Sequence, residues 1–240
     1  NMNAKYLDLH VIQTVPPSCI NRDDTGSPKM AIYGGVPRAR VSSQAWKHAM
    51  RGMFSELFSK EQVGVRTKRV LEMIIGELKK VEYQGNMEKA GMDGLKKCGF
   101  NFKKDALLDT LFFMSYAQAK KIAELIAAGE EDKGLYKNAL KEMPAIDMAL
   151  FGRMVASDPS LNYDAAAQVA HSISTHEVRN EYDYFTAVDD LAPEDNAGAG
   201  HLGTVEFYSA TLYRYATVNL WELQNYLGDD TIYAVQGFVR

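Results

Sequence analysis

The hydrophobic positions of the chain change their period from two residues to about 3.6 and back again. Between Tyr6 and Val15 apolar and polar residues alternate, which predicts a half-buried strand that ends at Pro16-Pro17-Ser18. Helical spacing then occurs in three ranges: Thr67–Glu82, Asp105–Ala128 and Leu135–Met143. A glycine-rich connection, Gly85–Gly99, separates the first two. Residues 60–143 are therefore predicted to form an all-helical insertion.

Strand-like alternation returns after Pro144. It predicts strands over Ile146–Met154 and Thr204–Val218, of which the second is the longest in the chain. Asp164–Thr175 is alanine-rich enough for a helix, but its alternation favours a strand. The acidic, glycine-bearing stretch Tyr184–Gly203 between them predicts a protruding loop. Asn219 is placed to cap a helix that begins at Leu220. Strands before and after a helical insertion indicate an α+β fold.

A basic window, Asn21–Arg51, stands out in a chain whose net charge is −4. No acidic residue occurs from Thr25 through Ser55, whereas five cationic side chains do: Lys29, Arg38, Arg40, Lys47 and Arg51. Salt screens charges that lie far apart, so a short cluster of one sign indicates a localised site for a polyanion.

The end of this window has the spacing of an amphipathic helix. Ser42 or Ser43 can cap it, and Trp46 begins an apolar face that repeats at helical spacing. The opposite face carries Gln44, Lys47, His48 and Arg51. A helix N-terminus followed by cations predicts an anion site, although an ordinary solvated basic face has the same spacing. Ile32–Gly35, before this helix, is predicted to be irregular.

Candidate metal ligands are few. Asp23 and Asp24 lie in a polar turn without a third acidic neighbour, which favours a turn over a metal site. His171 and His176 are five residues apart and share no helical face, so structural roles are favoured for them. No cofactor is predicted.

The two cysteines, Cys19 and Cys98, lie far apart without a CxxC pair. This pattern suits a reducing cytoplasm and argues against a zinc or disulfide framework. No run of about 18 apolar residues occurs, so neither a membrane span nor a membrane partner is expected. No signal peptide is expected either.

Five blocks of sequence together resemble one known family. They are SCINRDDTGSPKMAIYGGVPRARVSSQAWKHAMR, IDMALFGRM, AHSISTHEV, DYFTAVDDL and HLGTVEFYSATLYRYATVNLWELQ. In this order they are similar to the CasC (Cse4-type) backbone subunit of the type I-E CRISPR Cascade complex. The resemblance covers nearly the whole chain and is weakest over residues 55–143. Members of this family continue past the position of Arg240.

The resemblance implies a hand-shaped fold. Its palm would be a modified RNA-recognition-motif (ferredoxin-like) fold made of residues 1–55 and 144–240. A helical fingers domain over residues 56–143 would be inserted into the palm. A long hairpin, at about residues 184–204, would form the thumb, and the C-terminal part of the family fold would be absent.

The resemblance also implies a function without catalysis. Copies would line up head to tail as a helical array along a CRISPR RNA, join the other Cascade subunits, and display the guide for pairing with target DNA. The implied RNA-backbone contacts are Lys29, Gln44, Lys47 and Arg51. Arg38, Arg40 and His48 complete the RNA-binding patch. His48 replaces a basic residue, and Val36 stands where a lysine can occur. Apolar wedges between bases would be Met154, Phe185 and Leu202.

Two other functions are compatible with parts of the sequence. Related RNA-targeting backbone proteins cleave RNA with an aspartate in an early loop, for which Asp23 or Asp24 is the candidate. A lone RNA-recognition-motif protein that binds loose single strands is the second alternative. Its usual aromatic signature on the sheet surface is not evident in the sequence.

Overall fold

The computed structural model describes residues 5–103, 105–187, 191 and 201–240. The chain divides into two compact units. The first, here called the sheet unit, consists of Asp8–His48 and Val169–Ala216. The second, the helical unit, consists of the residues up to Leu7, Ala49–Gln168 and Thr217–Arg240. The first α-helix starts in the sheet unit and ends in the helical unit.

The strands form one large sheet and one small one. Their bounds are β1 (Tyr6–Ser18), β2 (Met30–Tyr33), β3 (Val36–Val41), β4 (Val65–Thr67), β5 (Phe112–Met114), β6 (Ala167–Val169), β7 (Ser172–Ser174), β8 (Glu181–Ala187) and β9 (His201–Asn219). The main sheet has the order β1-β9-β7-β3-β2, and β6 and β8 also pair with β9. The antiparallel pair β4–β5 forms the small sheet.

The helices lie mostly in the helical unit. Their bounds are α1 (Ser43–Leu57), α2 (Val70–Lys80), α3 (Met87–Lys97), α4 (Tyr116–Ala127), α5 (Lys133–Ala139), α6 (Ile146–Phe151), α7 (Leu220–Leu227) and α8 (Thr231–Val239). A mixed α+β architecture with an antiparallel sheet is thus confirmed. Within the described residues, no helix is both long enough and apolar enough to cross a membrane.

The core of the sheet unit lies on one face of the main sheet. Alternate residues of β3 and β9 are buried there, with Ala39 and Val41 facing Leu212 and the half-buried Trp46 of α1. The strand predicted over Tyr6–Val15 is confirmed as most of β1. The strand ends at Ser18, within the predicted Pro16-Pro17-Ser18 segment, but it is mostly exposed rather than half-buried, and Val15 is its one buried residue.

The prediction of an irregular Ile32–Gly35 segment is also wrong. This segment forms a β-hairpin in which Tyr33 pairs with Val36. The two turn residues, Gly34 and Gly35, have φ angles of 65° and 80°. Positive φ at both central residues is the geometry of the two-residue turn that matches strand twist, so the glycines close the hairpin.

The helical unit differs from an all-helical insertion. The predicted helix over Asp105–Ala128 is instead the strand β5 followed by α4, which starts at a capping box formed by Ser115 and Gln118. The predicted connection over Gly85–Gly99 contains α3. A Cβ at Gly94 would lie 2.6 Å from the Ile126 Cδ1, so the glycine allows close helix packing.

Two further strand predictions fail in part. Ile146–Met154 contains the helix α6, whose residues 146–150 are all buried. A fully buried helix shows no apolar stripe, so its short apolar run looks like a strand. Asp164–Thr175 contains two short strands, β6 and β7, rather than one.

The predicted loop at Tyr184–Gly203 has paired strands at its base. Strand β8 pairs with β9 from Glu181↔Phe207 to Ala187↔His201. Most of the loop's acidic middle lies outside the described residues. The longest predicted strand is confirmed, and Asn219 caps α7 by accepting a hydrogen bond from the Glu222 N–H at 3.1 Å.

Candidate nucleic-acid interface

The first turn of α1 has the predicted anion-binding form. The Ser42 Oγ accepts a hydrogen bond from the Ala45 N–H at 3.3 Å, which confirms Ser42 as the cap. Gln44 and His48 are exposed and Lys47 is half-buried. Trp46 points into the sheet unit, where its Nε1 donates to the Ser172 Oγ at 3.0 Å. The polar face of α1 is therefore accessible beside a helix N-terminus.

Sequence reasoning missed a cation beside this turn. The Arg214 guanidinium lies 3.8 Å from the centroid of the Trp46 ring and donates to the Gln13 Oε1 at 3.0 Å. Burial lowers the pKa of Arg214. The alternation of β9 could have placed Arg214 on the helix-covered face, but not its stacking on Trp46.

Arg51, which is predicted to contact RNA, is engaged in an ion pair in the helical unit. Its Nε donates to the Asp147 Oδ2 at 2.9 Å, and its guanidinium lies 4.7 Å from the Phe113 ring centroid. The Asp147 side chain is fully buried. Burial raises the pKa of Asp147, and hydrogen bonds from the Gly64 N–H and Arg51 oppose that rise. Much of the charge of Arg51 is therefore neutralised within the protein.

A second arginine, absent from the sequence-based prediction, lies beside this pair. The exposed Arg66 of β4 lies over the same Phe113 ring, at 5.0 Å from its centroid. Burial and the charge of Arg51 lower the pKa of Arg66. Two arginines beside the single carboxylate of Asp147 leave a positive charge on this surface. A strand of three residues gives no periodicity that could have identified Arg66.

Arg38 and Arg40 lie on the opposite face of the main sheet from Trp46. Their neighbours in β3, Ala39 and Val41, are in the core against α1, and strand side chains alternate between faces. The predicted patch is therefore divided between α1 and the open face of the sheet. Lys29 lies opposite Arg40, whose backbone N–H donates to the Lys29 carbonyl at 2.9 Å.

The predicted apolar wedges are placed differently. Met154 is 87% exposed, although the preceding Arg153 is buried and donates two hydrogen bonds to the Leu161 carbonyl. Phe185 is 43% exposed, and its ring lies where a Cβ at Gly203 would be. Leu202 pairs with Thr186 in the backbone register. Met154 thus has the exposure that a wedge requires, and Phe185 has it in part.

The predicted turn at Asp23 is confirmed. The Asp23 Oδ1 accepts hydrogen bonds from the Thr25 N–H, the Thr25 hydroxyl and the Ser27 N–H, at 2.9, 2.7 and 3.1 Å. The bond from the Thr25 hydroxyl is the largest cause that lowers the pKa of Asp23. Such a carboxylate is held by its own turn.

The two histidines are also hydrogen-bonded. The His171 Nδ1 lies 3.3 Å from an Arg40 nitrogen, and the His176 Nε2 accepts from the Thr211 N–H at 3.1 Å. Across the described residues, no three His, Cys, Asp or Glu side chains are grouped as metal ligands. Cys19 and Cys98 are both free thiols, and burial raises the pKa of Cys98 to about 12.

Comparisons with known proteins agree on one group. The sequence profile of the CT1975-like protein family matches residues 7–240. One solved structure, described as a CRISPR RNA-guided surveillance complex, pre-nicking, contains a chain that is 32% identical with a TM-score of 0.77. That match covers 98% of this chain and 71% of the other. A chain of another CRISPR RNA-guided surveillance complex is 27% identical with a TM-score of 0.65, and the match covers 98% and 70%. No curated protein matched the chain.

Proposed function

The chain belongs to the CT1975-like protein family, and on that basis we propose that it is a CRISPR RNA-binding backbone subunit of a Cascade complex. The observation that carries the proposal is the match of 98% of the chain to a subunit of a CRISPR RNA-guided surveillance complex at 32% identity. The finer assignment is the CasC (Cse4-type) subunit of the type I-E complex. Its place of action would be the cytoplasm.

The guide site is proposed on the polar face of α1. Phosphates carry no sequence information, so a helix N-terminus with Gln44 and Lys47 beside it can hold a guide of any sequence. In the helical unit, Arg66 would supply a guide-phosphate contact of its own beside Arg51. Sequence-blind binding suits a subunit whose bound RNA itself selects the target.

The units are proposed to correspond to parts of a hand. The main sheet would form the modified RNA-recognition-motif palm, residues 56–143 the fingers, and the β8–β9 hairpin the thumb. Copies would associate head to tail along the guide and contact the other Cascade subunits. The guide would then be displayed for pairing with target DNA.

Lys47 provides the first test. Lys47→Glu should weaken binding of CRISPR RNA regardless of sequence and reduce the salt slope of the affinity by about 0.7 for a lost phosphate contact. Lys79→Glu, on the exposed side of α2, is the matched control. Fluorescence titrations at several salt concentrations measure both. Equal effects of the two substitutions would contradict a guide site on α1.

Met154 provides a test of the wedge. If it separates bases, Met154→Ala should leave the melting temperature nearly unchanged, because the side chain is exposed. Loss of a stacking contact should cost about 1–3 kcal/mol of RNA affinity and remove the periodic reactivity of unstacked bases to chemical probes. Met143→Ala, another exposed methionine, is the control. An unchanged reactivity pattern would refute the wedge.

Metal-dependent RNA cleavage, as in the related RNA-targeting backbone proteins, is the second candidate function, because Asp23 lies in an early loop. The three hydrogen bonds that Asp23 accepts support a structural role instead. The deciding measurement is magnesium-dependent RNA cleavage by wild type and by Asp23→Asn with Asp24→Asn. Cleavage that disappears in the double variant would establish the RNase and contradict a non-catalytic subunit.

A further inference from the structure

The open face of the main sheet carries a shallow groove in the sheet unit. Its lining combines aromatic, histidine and arginine side chains: His10, Tyr33, Arg38, His171, Tyr213 and Tyr215. We propose that this groove is a stacking site for single-stranded nucleic acid, separate from the guide site on α1. The site goes beyond the proposed function, which places the guide on α1 and holds target DNA through base pairing with the guide.

The rings of the groove are held in place by one another. The His10 Nδ1 lies 2.7 Å from the Tyr213 hydroxyl oxygen, with the two rings stacked at a centroid distance of 6.1 Å. The Tyr215 ring centroid is 5.1 Å from that of His10, and its hydroxyl donates to the Asp8 Oδ1 at 2.9 Å. The hydrogen bonds engage the polar edges of the rings, and the stacking of His10 on Tyr213 fixes the planes of these two rings. Rings fixed on neighbouring strands lose little further entropy when a base stacks on them.

The cations beside the rings are bonded to carbonyl oxygens and to a histidine ring. Arg38 donates to the carbonyls of Tyr33 and Ser174 at 3.0 and 2.9 Å. Arg40 donates to the Met30 carbonyl and lies 3.3 Å from the His171 Nδ1. Among the described residues, no carboxylate forms an ion pair with either arginine. Both therefore add positive potential to this face of an otherwise acidic chain.

A groove that combines aromatic rings with arginines suits a nucleic acid better than a second copy of the chain. Protein–protein contacts are depleted in charge at their centre, whereas single-strand sites join aromatic platforms to cationic grooves. The groove crosses five strands, about 19 Å at the usual strand spacing. For comparison, the aromatic side chains on the sheet of an RNA-recognition motif stack about two or three bases.

Affinity measurements on the full chain test the site. In a Lys47→Glu background, Tyr213→Leu with Tyr215→Leu should lower the affinity for a fluorescent oligouridine about 5- to 150-fold per lost stacking ring. The corresponding Phe variants should retain most of the affinity, because they keep the rings. Tyr233→Leu, an exposed tyrosine on α8, is the matched control. Equal affinity of the Leu, Phe and control variants would overturn the proposal.

Cross-linking gives a readout that does not depend on how the variants fold. An oligomer containing 4-thiouridine should cross-link to wild-type peptides with His10 or Tyr213. Cross-links confined to α1 would overturn the site. Loss of self-association in the Leu variant without nucleic acid would do the same, since the face would then bind a second copy. If Lys47→Glu alone does not change the RNA affinity while the Leu variant lowers it, the guide site on α1 is refuted and the stacking site is supported.

Discussion

Arg51 and Arg38 come from the same acid-free stretch of sequence, yet their charges meet opposite environments. In the helical unit, Arg51 forms an ion pair with the buried Asp147. In the sheet unit, Arg38 donates to two carbonyl oxygens, and no carboxylate of the described residues forms an ion pair with it. Removing one member of a buried ion pair leaves an uncompensated charge, whereas a neutral partner loses only a hydrogen bond. Equal formal charges in one sequence window can therefore stabilise the fold or attract a ligand.

The largest expected effect lies at the ion pair. Arg51→Met leaves the buried Asp147 carboxylate without its cation and should cost about 3–5 kcal/mol of the free energy of unfolding. Urea unfolding near neutral pH measures it. Adding Asp147→Asn should recover part of the loss, because the uncompensated charge is then removed. A loss below about 1 kcal/mol would mean that the Arg51–Asp147 pair stabilises the fold no more than an exposed ion pair does.

Arg38 and Arg40 should show the reverse pattern. Replacing both with Met should cost only about 1 kcal/mol of stability per hydrogen-bonded side chain, because their partners are neutral. The salt slope for single-stranded RNA should fall by about 0.7 for each lost phosphate contact. The same unfolding and titration experiments compare these variants with Arg51→Met. A stability loss as large as that of Arg51→Met would remove the distinction between the two regions.

Arg66 sharpens the comparison, because it lies beside the ion pair but remains exposed. Arg66→Gln should cost less than about 1 kcal/mol of stability, which is the size of an exposed cation–π contact. It should reduce the salt slope by about 0.7 if the side chain touches one phosphate. Lys68→Gln, an exposed cation two residues away, is a suitable control. An unchanged slope would exclude Arg66 from the guide site.

The smallest expected effect is a pH dependence. Burial raises the pKa of Asp147 above its usual 3.8, so the folded protein binds its proton more tightly than the unfolded chain. This contribution to stability is fully present below pH 3.8 and is lost as the pH rises through the folded pKa. Asp147→Asn should remove it. The difference between the two unfolding free energies should therefore change with pH in that window, and a constant difference would contradict the raised pKa.

Local spacing was sufficient for the elements whose two faces differ. The alternation over Thr204–Val218 defines β9, and the serine cap and apolar stripe define α1. Local spacing failed for α6, because a helix that is buried on all sides has no apolar stripe. It also failed for the β2–β3 hairpin, because the paired glycines were interpreted as irregular structure. Helix α3 was missed because its glycines serve close packing.

The candidate site could be predicted only as far as its residues are neighbours in sequence. The basic window and the cap of α1 are local features. Arg51, by contrast, finds its carboxylate 96 residues away, and His10 meets Tyr213 across 203 residues. Neither contact produces a periodic pattern in the sequence. The alternation of β3 already implied that Arg38 and Arg40 lie on the face opposite Ala39 and Val41. Which of the two faces is buried became evident only from the structure of the sheet.

The pairing of β1 with β9 sets an order of events during synthesis. The ribosome releases β1 about 180 residues before β9, which at about 5–20 residues per second is a delay of roughly 10–40 s. Until then the edge of β1 has no strand to bond, and such edges promote aggregation. The segment Ala49–Gln168, which is the central part of the helical unit, is complete before β9 is made and can fold within that interval. We therefore expect a chain truncated after residue 170 to protect Ala49–Gln168 from proteolysis while β1 remains cleavable.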